Sequence, residues 1–443
     1  MTFRFFSRRM GPAWLAAILL GLLAAIAPLV ERLRPTPLGD RAAAEIHVTN
    51  DQDAGIGSLR EAIFLADHAS YRVRIVVQVP LITLRTPLPP IVNPAGVVLE
   101  PRGARVKVDA SRLPAGAVFD VAAPNSVIAR LDVYGAPEQA LLLRRAGARV
   151  TNVAIRGCRT GVHVVDAVDD VRISDSIFDG NVTGIDIGAR ASGVRVDHNE
   201  FKGHSRAAIW SVSPSANRGN QPAAIVVADN RFDGDSASIV FFNAAARIEG
   251  NTVAGAKTAA LLIHGGSGVV QRNRIGSGLG FAIDADALDH ATIAGNEIHH
   301  NCAGGILVRD ARNTDVLSNR VYTNGYGIVM ILGGHGTNTI AGNLLVNHVE
   351  DGLYVIGASP RIRGNRMMDN RRAGLRLSSL LVGSRTTRAA PLVDANVFMG
   401  NGSDAPVADA YRMGAPAEVA GRLPDCSWRL NPVGTRTQLA TLP

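Results

Sequence analysis

Three side chains with complementary acid–base chemistry recur at nearly equal steps along the chain. His264 is followed after 22 residues by Asp286 and after another 23 by Arg309, and Asp284 lies two positions before Asp286. A guanidinium group, or a cation such as Ca²⁺ held by the two aspartates, could neutralise a sugar carboxylate and so make the adjacent carbon-bound proton acidic. The histidine could then remove that proton. The spacing therefore indicates a candidate catalytic site, provided that the fold brings these four residues together.

A row of charged residues can also be structural, because a solvated charge ladder on a repeat surface needs no ligand. Other positions of the same repeat offer groups that could bind a sugar, namely Trp210, Tyr354 and Arg376. Aromatic rings pack against the apolar faces of sugar rings, although isolated exposed aromatic residues are common on protein surfaces. These three residues are the candidates for substrate binding, beside the four candidate catalytic residues.

The elements that must position these residues follow from an internal repeat. A period of 20 to 25 residues is typical of a solenoid, whose units bury their apolar faces only against each other. Asn152 and Asp175 extend the repeat toward the N-terminus. Its main members are asparagines, mostly 21 to 24 residues apart and each followed two positions later by an apolar residue: Asn199, Asn230, Asn251, Asn273, Asn296, Asn319, Asn343, Asn365 and Asn396.

Short segments of alternating apolar residues run in phase with the asparagines and predict β-strands. Residues that alternate with the inward apolar ones face outward, and equivalent outward residues of successive coils lie about 4.8 Å apart. A leucine-rich repeat would need a helix in every unit, so the sequence favours an all-β parallel β-helix of about 12 coils. The twelve predicted inward residues are Val118, Leu141, Val162, Ile185, Ile209, Ile239, Leu261, Ile283, Ile306, Ile328, Leu353 and Leu375.

The chain before the repeats carries a candidate membrane anchor. Residues 10–30 contain no charge and follow three arginines, which predicts a transmembrane signal anchor with residues 1–9 in the cytoplasm. The β-helix would then lie in the periplasm, held at the inner membrane by a single span. Ser58 and Glu61 form a capping box, which predicts a helix that covers the first coil. Beyond the anchor we expect a linker at 31–44, an N-terminal cap region at 45–96, the β-helix at 97–400 and a C-terminal cap or tail at 401–443.

Composition narrows the range of partners. The formal net charge is +8, which suits an anionic partner, but no dense basic run or nucleic-acid motif accompanies it. We therefore expect an acidic polysaccharide and no nucleic acid. Cys158, Cys302 and Cys426 are too widely spaced for a disulfide framework or a metal site, so buried free thiols are expected. The sequence requires no cofactor, and it does not determine the oligomeric state.

The repeats over 97–400 resemble those of the pectate-lyase-like superfamily of right-handed parallel β-helices. This superfamily includes polysaccharide lyases, polyuronate epimerases and non-enzymatic periplasmic β-helix proteins of copper-enzyme maturation. Asp284-Ala-Asp286 resembles the aspartate-rich strand motif of mannuronan C5-epimerases, and Gly305-Ile-Leu-Val-Arg309 resembles the strand that carries their carboxylate-neutralising arginine. Leu279 and Gly280 stand where those enzymes have a histidine.

The resemblance implies two functions of different classes. The first is a polyuronate lyase or C5-epimerase that acts on an acidic exopolysaccharide. The second is a non-catalytic carbohydrate-binding or assembly scaffold of a polysaccharide or envelope system. The missing histidine keeps the second function open as the alternative, because a shared fold alone does not supply a catalytic base.

Overall fold

The chain winds in successive turns, and its strands form three long β-sheets around an apolar core. The computed structural model describes residues 44–213, 225–333, 337–382 and 385–412. Over these residues the chain forms an all-β, right-handed parallel solenoid of about 13 turns. The predicted β-helix is therefore confirmed, with about one turn more than the twelve counted from the sequence. We call each turn a coil.

From Phe119 onward, a typical coil contributes one strand to each sheet. Sheet 1 has 15 parallel strands, Ala44–Val48, Val73–Val77, Val97–Pro101, Val127–Ala129, Arg149–Thr151, Arg172–Ser174, Val194–Asp197, Ile225–Ala228, Ala245–Glu249, Ser267–Gln271, Ala291–Ala294, Asp315–Leu317, Thr339–Ala341, Arg361–Arg363 and Leu392–Asp394. Sheet 2 has 14, Leu81–Thr83, Val106–Asp109, Leu131–Tyr134, Ala154–Arg156, Ile177–Asp179, Glu200–Lys202, Arg231–Asp233, Thr252–Ala254, Arg274–Gly276, Glu297–His299, Arg320–Tyr322, Leu344–Val346, Arg366–Met368 and Val397–Met399.

Sheet 3 also has 14 strands and carries the candidate site. The strand Arg385–Thr387 pairs antiparallel with Leu375–Val382 and forms a hairpin, while the last strand pairs parallel with Leu375–Val382. The strands are Phe119–Val121, Gln139–Leu143, Thr160–Val164, Thr183–Ile187, Ala207–Val212, Ala237–Phe242, Leu261–His264, Phe281–Asp286, Gly304–Arg309, Tyr326–Ile331, Leu353–Ile356, Leu375–Val382, Arg385–Thr387 and Val407–Arg412.

The predicted register of sheet 3 is confirmed from the second coil onward. The inward residues from Leu141 to Leu375 pair in one continuous column. The first position is wrong by one residue, because Leu141 pairs with Phe119 and not with Val118. Both residues are buried, so the apolar pattern alone did not separate them.

The asparagines form a buried ladder at the corner between sheets 1 and 2. From Asn199 to Asn365, the backbone N–H and the side-chain Nδ2 of each asparagine both donate to Oδ1 of the next one, at 2.9–3.0 Å. The predicted extension to Asp175 is wrong by one residue, since Ser176 continues the ladder with its N–H on Asn199 Oδ1. Asp175 instead adopts a φ of 54° on the outer turn, a conformation that short polar residues also tolerate.

A second buried polar ladder lies at the corner between sheets 2 and 3. Here the backbone N–H of Asn301 donates to Asn324 Oδ1 at 2.8 Å, and the N–H of His348 donates to Asn370 Oδ1 at 3.1 Å. Inside sheet 2, the rings of Phe178, Phe201 and Phe232 stack with centroids 4.9 and 4.8 Å apart. Polar ladders at the corners and stacked apolar residues between them therefore fix how each coil sits on the next.

One helix, α1 (Leu59–Asp67), covers the first coils as predicted. Ser58 accepts the N–H of Glu61, so the predicted N-cap is confirmed. The Glu61 carboxylate accepts the N–H of Gly57, one residue before the N–H that it accepts in a capping box. Four residues of α1 are buried against the first two strands of sheet 1. Because those strands lie between residues 44 and 77, the sheets begin before residue 97. The division of the chain into cap, β-helix and tail remains a prediction.

The predicted anchor at 10–30, its flanks and the tail after Arg412 lie outside the described residues. In the described part of the chain, no helix is both long and apolar enough to cross a bilayer. Cys158 is a buried free thiol, as expected. The expectation of a free thiol is wrong for Cys302, which is disulfide-bonded. Spacing along the sequence does not exclude a disulfide, because the geometry of the bond depends on distance in space and not on separation along the chain.

Candidate functional site

Consecutive strands of sheet 3 hold the four candidate catalytic residues. His264 ends one strand, Asp284 and Asp286 lie in the next, and Arg309 ends the third. His264 pairs with Asp286, and Asp286 pairs with Arg309. Asp284 belongs to the neighbouring outward column, where it pairs with Leu307. The structure therefore brings these four side chains together on one sheet face, as the register predicted.

The side chains form a connected charge cluster. Arg309 donates from Nη2 to Asp284 Oδ1 at 2.6 Å, and its Nε lies 3.8 Å from Asp286 Oδ2. On the other side, His264 Nδ1 lies 3.3 Å from the same Asp286 oxygen. One guanidinium is thus placed between two carboxylates, and one imidazole borders the second carboxylate.

The cluster is partly sheltered from solvent. The side chains of Asp284 and Arg309 are each 17% exposed and that of His264 is 33% exposed. Leu262 and Leu307, before and after Asp284 in its column, are buried. Burial raises the pKa of the Asp284 carboxyl, and this effect outweighs the charge and hydrogen bond of Arg309, which lower it. The Asp284 carboxyl therefore holds a proton more readily than an ordinary aspartate.

Trp210 stands apart from the cluster. Along its column, Val240 and Leu262 separate it from Asp284, a distance of three coils or about 14 Å. The Arg206 guanidinium lies 3.8 Å from the centre of the Trp210 ring and covers one of its faces. Binding of a sugar by Trp210 remains a prediction. It now applies to the face of the indole ring that Arg206 does not cover.

The expectation that Tyr354 is an exposed stacking platform is wrong. The residue is only 5% exposed, and its ring stacks on that of Tyr326 with centroids 6.2 Å apart. Ser378 donates its hydroxyl to the Tyr354 hydroxyl at 3.0 Å. The physical reason is that the strand Leu375–Val382 and its hairpin lie beside this coil, and Leu380 joins the same apolar cluster.

Arg376 is engaged in an ion pair that the sequence reasoning missed. Its Nε lies 3.5 Å from Asp351 Oδ2, and the neighbouring Glu350 pairs with Arg372 at 2.8 Å. Both acidic residues are fully buried. The sequence feature that could have indicated these ion pairs is the pair of consecutive acidic residues directly before Gly352. Arg376 is four coils, or about 19 Å, from Asp284, so the structure does not bring it to the cluster.

The cluster does not fit a calcium ion. Ca²⁺ takes six to eight oxygen ligands, whereas here two carboxylates face an arginine that already binds one of them. Among the described residues, no group of three or more His, Cys, Asp or Glu side chains is placed to hold a metal ion. The chemistry of the site is therefore derived from its own side chains.

A second polar surface lies at the corner between sheets 1 and 2, away from the cluster. It is an open groove whose lining includes Arg105, His198 and Asp229. Its neighbour Asp197 is buried and bound by Arg172 at 2.7 Å and by His198 at 3.1 Å. These bonds hold the turn in place, so we interpret the charged residues there as structural.

Solved structures of similar fold come from several bacteria. The A-module of the mannuronan C-5 epimerase AlgE4 of Azotobacter vinelandii is 12% identical, with 84% of this chain and 100% of that chain covered and a TM-score of 0.46. PfbA, a surface adhesin of Streptococcus pneumoniae, is 12% identical, with 78% and 94% covered and a TM-score of 0.49. DFA-IIIase of Arthrobacter chlorophenolicus A6 is 15% identical, with 74% and 95% covered and a TM-score of 0.45. Sequence identities this low show a similar fold and carry no conclusion about function.

Two family models match parts of the chain. The model described as periplasmic copper-binding protein (NosD) matches residues 96–221, and the model described as right handed beta helix region matches residues 215–367. No curated protein matches the chain. The periplasmic description of the first family agrees with the predicted location. The two matches overlap at residues 215–221, and they confirm the predicted resemblance of this chain to the right-handed parallel β-helix proteins.

Proposed function

We propose that this periplasmic β-helix protein binds an acidic exopolysaccharide on the outer face of sheet 3 and acts on it as a polyuronate lyase or C5-epimerase. The observation that carries the proposal is the cluster of His264, Asp284, Asp286 and Arg309, whose proton-transfer groups adjoin on one sheet face. The description of the matching family as periplasmic supports the location.

We propose the following roles for His264 and Arg309. With its proton on Nδ1, His264 faces Asp286 at 3.3 Å and leaves Nε2 free to accept the C5 proton of a uronate. Arg309 binds the sugar carboxylate and stabilises the charge that develops there. The electron pair left at C5 then has two outcomes. It either expels the oxygen at C4, which takes the proton from His264 and leaves an unsaturated product, or it takes a proton from water on the opposite face, which inverts C5 while His264 returns its proton to solvent.

The test uses the full chain and a panel of polymannuronate, polyguluronate and polygalacturonate. Absorbance reports the unsaturated product of a lyase, and proton NMR reports inversion at C5. We expect His264→Ala and Arg309→Ala to abolish turnover. His290→Ala is the matched control, because His290 lies on a turn and pairs with Asp289 outside the cluster. No product on the whole panel would overturn the enzymatic proposal.

A non-catalytic carbohydrate-binding or assembly scaffold is the second candidate. It is favoured by the hydrogen bond from Arg309 Nη2 to Asp284 Oδ1 at 2.6 Å, which occupies part of the guanidinium. A scaffold should bind a polyuronate without forming product, and it should bind equally well after His264→Ala.

We also propose that residues 10–30 anchor the protein in the inner membrane. The support is an uncharged segment preceded by arginines. The full chain should stay with the membrane fraction after alkaline carbonate extraction, and deletion of 10–30 should release it. Extraction of the full chain by carbonate would contradict the anchor.

A further inference from the structure

The candidate site has an unfavourable charge balance for an acidic sugar. When its imidazole is neutral, the carboxylates of Asp284 and Asp286 outnumber the single guanidinium of Arg309. A uronate brings another negative charge into this partly sheltered place. Charges interact more strongly there than in bulk water, so a site that receives a carboxylate must compensate for it.

Neighbouring residues do not supply a positive charge that could balance the carboxylate of the ligand. In the two outward columns the adjoining positions are Phe242, Leu262, Leu307 and Ile331, which carry no charge. The largest charge effects on Asp284 come from Arg309, Asp286 and His264, all within the cluster. The negative charge of the site must therefore be reduced by protonation of a group within the cluster.

Asp284 is the group placed to make that change. It accepts the 2.6 Å hydrogen bond from Arg309 Nη2, which is the donor that a sugar carboxylate would use. Asp286 lies farther from the guanidinium, at 3.8 Å, and borders His264 instead. A ligand carboxylate therefore competes directly with Asp284 and only indirectly with Asp286.

We infer that a sugar carboxylate displaces Asp284 from Arg309 and that Asp284 takes up one proton from solvent as it is displaced. This inference rests on the proposed function of the same site. The protonated carboxyl carries no charge to repel the ligand, and its hydroxyl can donate a hydrogen bond to it. The exchange keeps Arg309 paired throughout.

The electrostatics of the site agree with this exchange. Burial already raises the pKa of Asp284 although Arg309 opposes it, and the neighbouring Asp286 charge raises it further. When Arg309 turns to the ligand, the opposing contribution of its hydrogen bond is lost while the burial remains. By linkage, a ligand whose binding takes up a proton binds more tightly as the pH falls, by up to about tenfold per pH unit.

Calorimetry of the full chain with hexamannuronate and hexagalacturonate tests the exchange. Titrations at several pH values, each in two buffers of different ionisation enthalpy, measure the number of protons taken up. We expect wild-type protein to take up as much as one proton per ligand. Asp284→Asn should bind about tenfold more tightly at neutral pH and take up no proton there.

Two further variants make the result specific. Asp284→Leu also frees Arg309, and leucine already occupies the adjoining positions of this column, so the variant suits the fold. Asp286→Asn removes the same charge but leaves the Arg309 bond to Asp284, so proton uptake should persist. Proton uptake that survives both Asp284 substitutions, or weaker binding by both, would overturn the exchange. Failure of wild-type protein to bind either ligand at any pH would overturn the proposed function as well.

Discussion

The backbone N–H of Asn324 donates a hydrogen bond to Nδ1 of His348 on the next coil, with 3.2 Å between the nitrogens. His348 is buried in the ladder between sheets 2 and 3, where Asn324 and Asn370 occupy the adjoining coils. Burial lowers the pKa of His348 to about 3, from an ordinary value of 6.5. The imidazole is therefore neutral in the folded protein near pH 7.

This histidine should make the fold sensitive to acid. Its pKa is lower in the folded than in the unfolded chain, so its contribution to stability is present above pH 6.5 and is lost as the pH falls toward 3. The slope contributed is at most about 1.4 kcal/mol per pH unit. We expect His348→Asn to match wild-type protein in urea unfolding at pH 7 and to lose less stability at pH 5. Parallel pH profiles of the two proteins would contradict this prediction.

Removal of one asparagine from the ladder at sheets 1 and 2 should be costly. The Asn296 side chain accepts from the N–H and Nδ2 of Asn273, and its own Nδ2 donates to Asn319 and to the Val270 carbonyl. We expect Asn296→Ala to lower the free energy of unfolding by about 3 kcal/mol, because buried groups lose their partners. The measurement is urea unfolding followed by circular dichroism.

Asn347→Ala serves as the control for the ladder. This exposed asparagine lies on a turn with a φ of 56° and makes one 3.4 Å hydrogen bond with Thr323. Its substitution should cost about 1 kcal/mol, chiefly from the backbone conformation. Equal losses for Asn296 and Asn347 would show that the ladder adds nothing beyond turn geometry.

The stacked phenylalanines of sheet 2 should contribute strongly to the free energy of unfolding. Phe201 is fully buried between Phe178 and Phe232. We expect Phe201→Ala to cost about 4 kcal/mol, because it leaves a cavity between two rings. Phe64→Ala, at an exposed position of α1, should cost less than about 1 kcal/mol in the same unfolding assay. A small effect at Phe201 would mean that neighbouring coils collapse into the space.

Cys158 should resist alkylation while the protein is folded. The thiol is buried, and burial raises its pKa to about 11, so little thiolate forms at pH 8. Iodoacetamide should therefore leave Cys158 unmodified in native protein and modify it in urea, as mass spectrometry of peptides would show. Rapid labelling without denaturant would place the thiol at the surface.

The repeat could be predicted from the sequence because two independent periods agree. The ladder asparagines and the alternating strands share the same step, and a slip of one residue would turn apolar side chains outward. The register in turn predicted that His264, Asp286 and Arg309 share one column, and the strand pairing confirms it. Where two residues both satisfied the pattern, as at Asp175 and Ser176, the prediction was wrong by one.

Contacts that depend on side-chain reach or on irregular chain segments could not be predicted. Arg309 crosses to the adjacent column to bind Asp284, and a register specifies columns but not the direction of a long side chain. Tyr354 is buried because of a hairpin that interrupts the repeat. The ion pair of Arg376 with Asp351 depends on a buried acid that no periodic pattern marks.

The asparagine ladder also sets how the molecule should yield to mechanical force. Every ladder bond joins one coil to the next, and Asn273 and Asn296 are 23 residues apart. A pull on the C-terminal end would load the hydrogen bonds between successive coils one after another, starting from the last coil. Each failure should release one coil, or about 80 Å of extended chain at roughly 3.4 Å per residue. Stretched in an optical trap in reducing buffer, which opens the Cys302 disulfide, the protein should lengthen in regular increments and not in a single rupture.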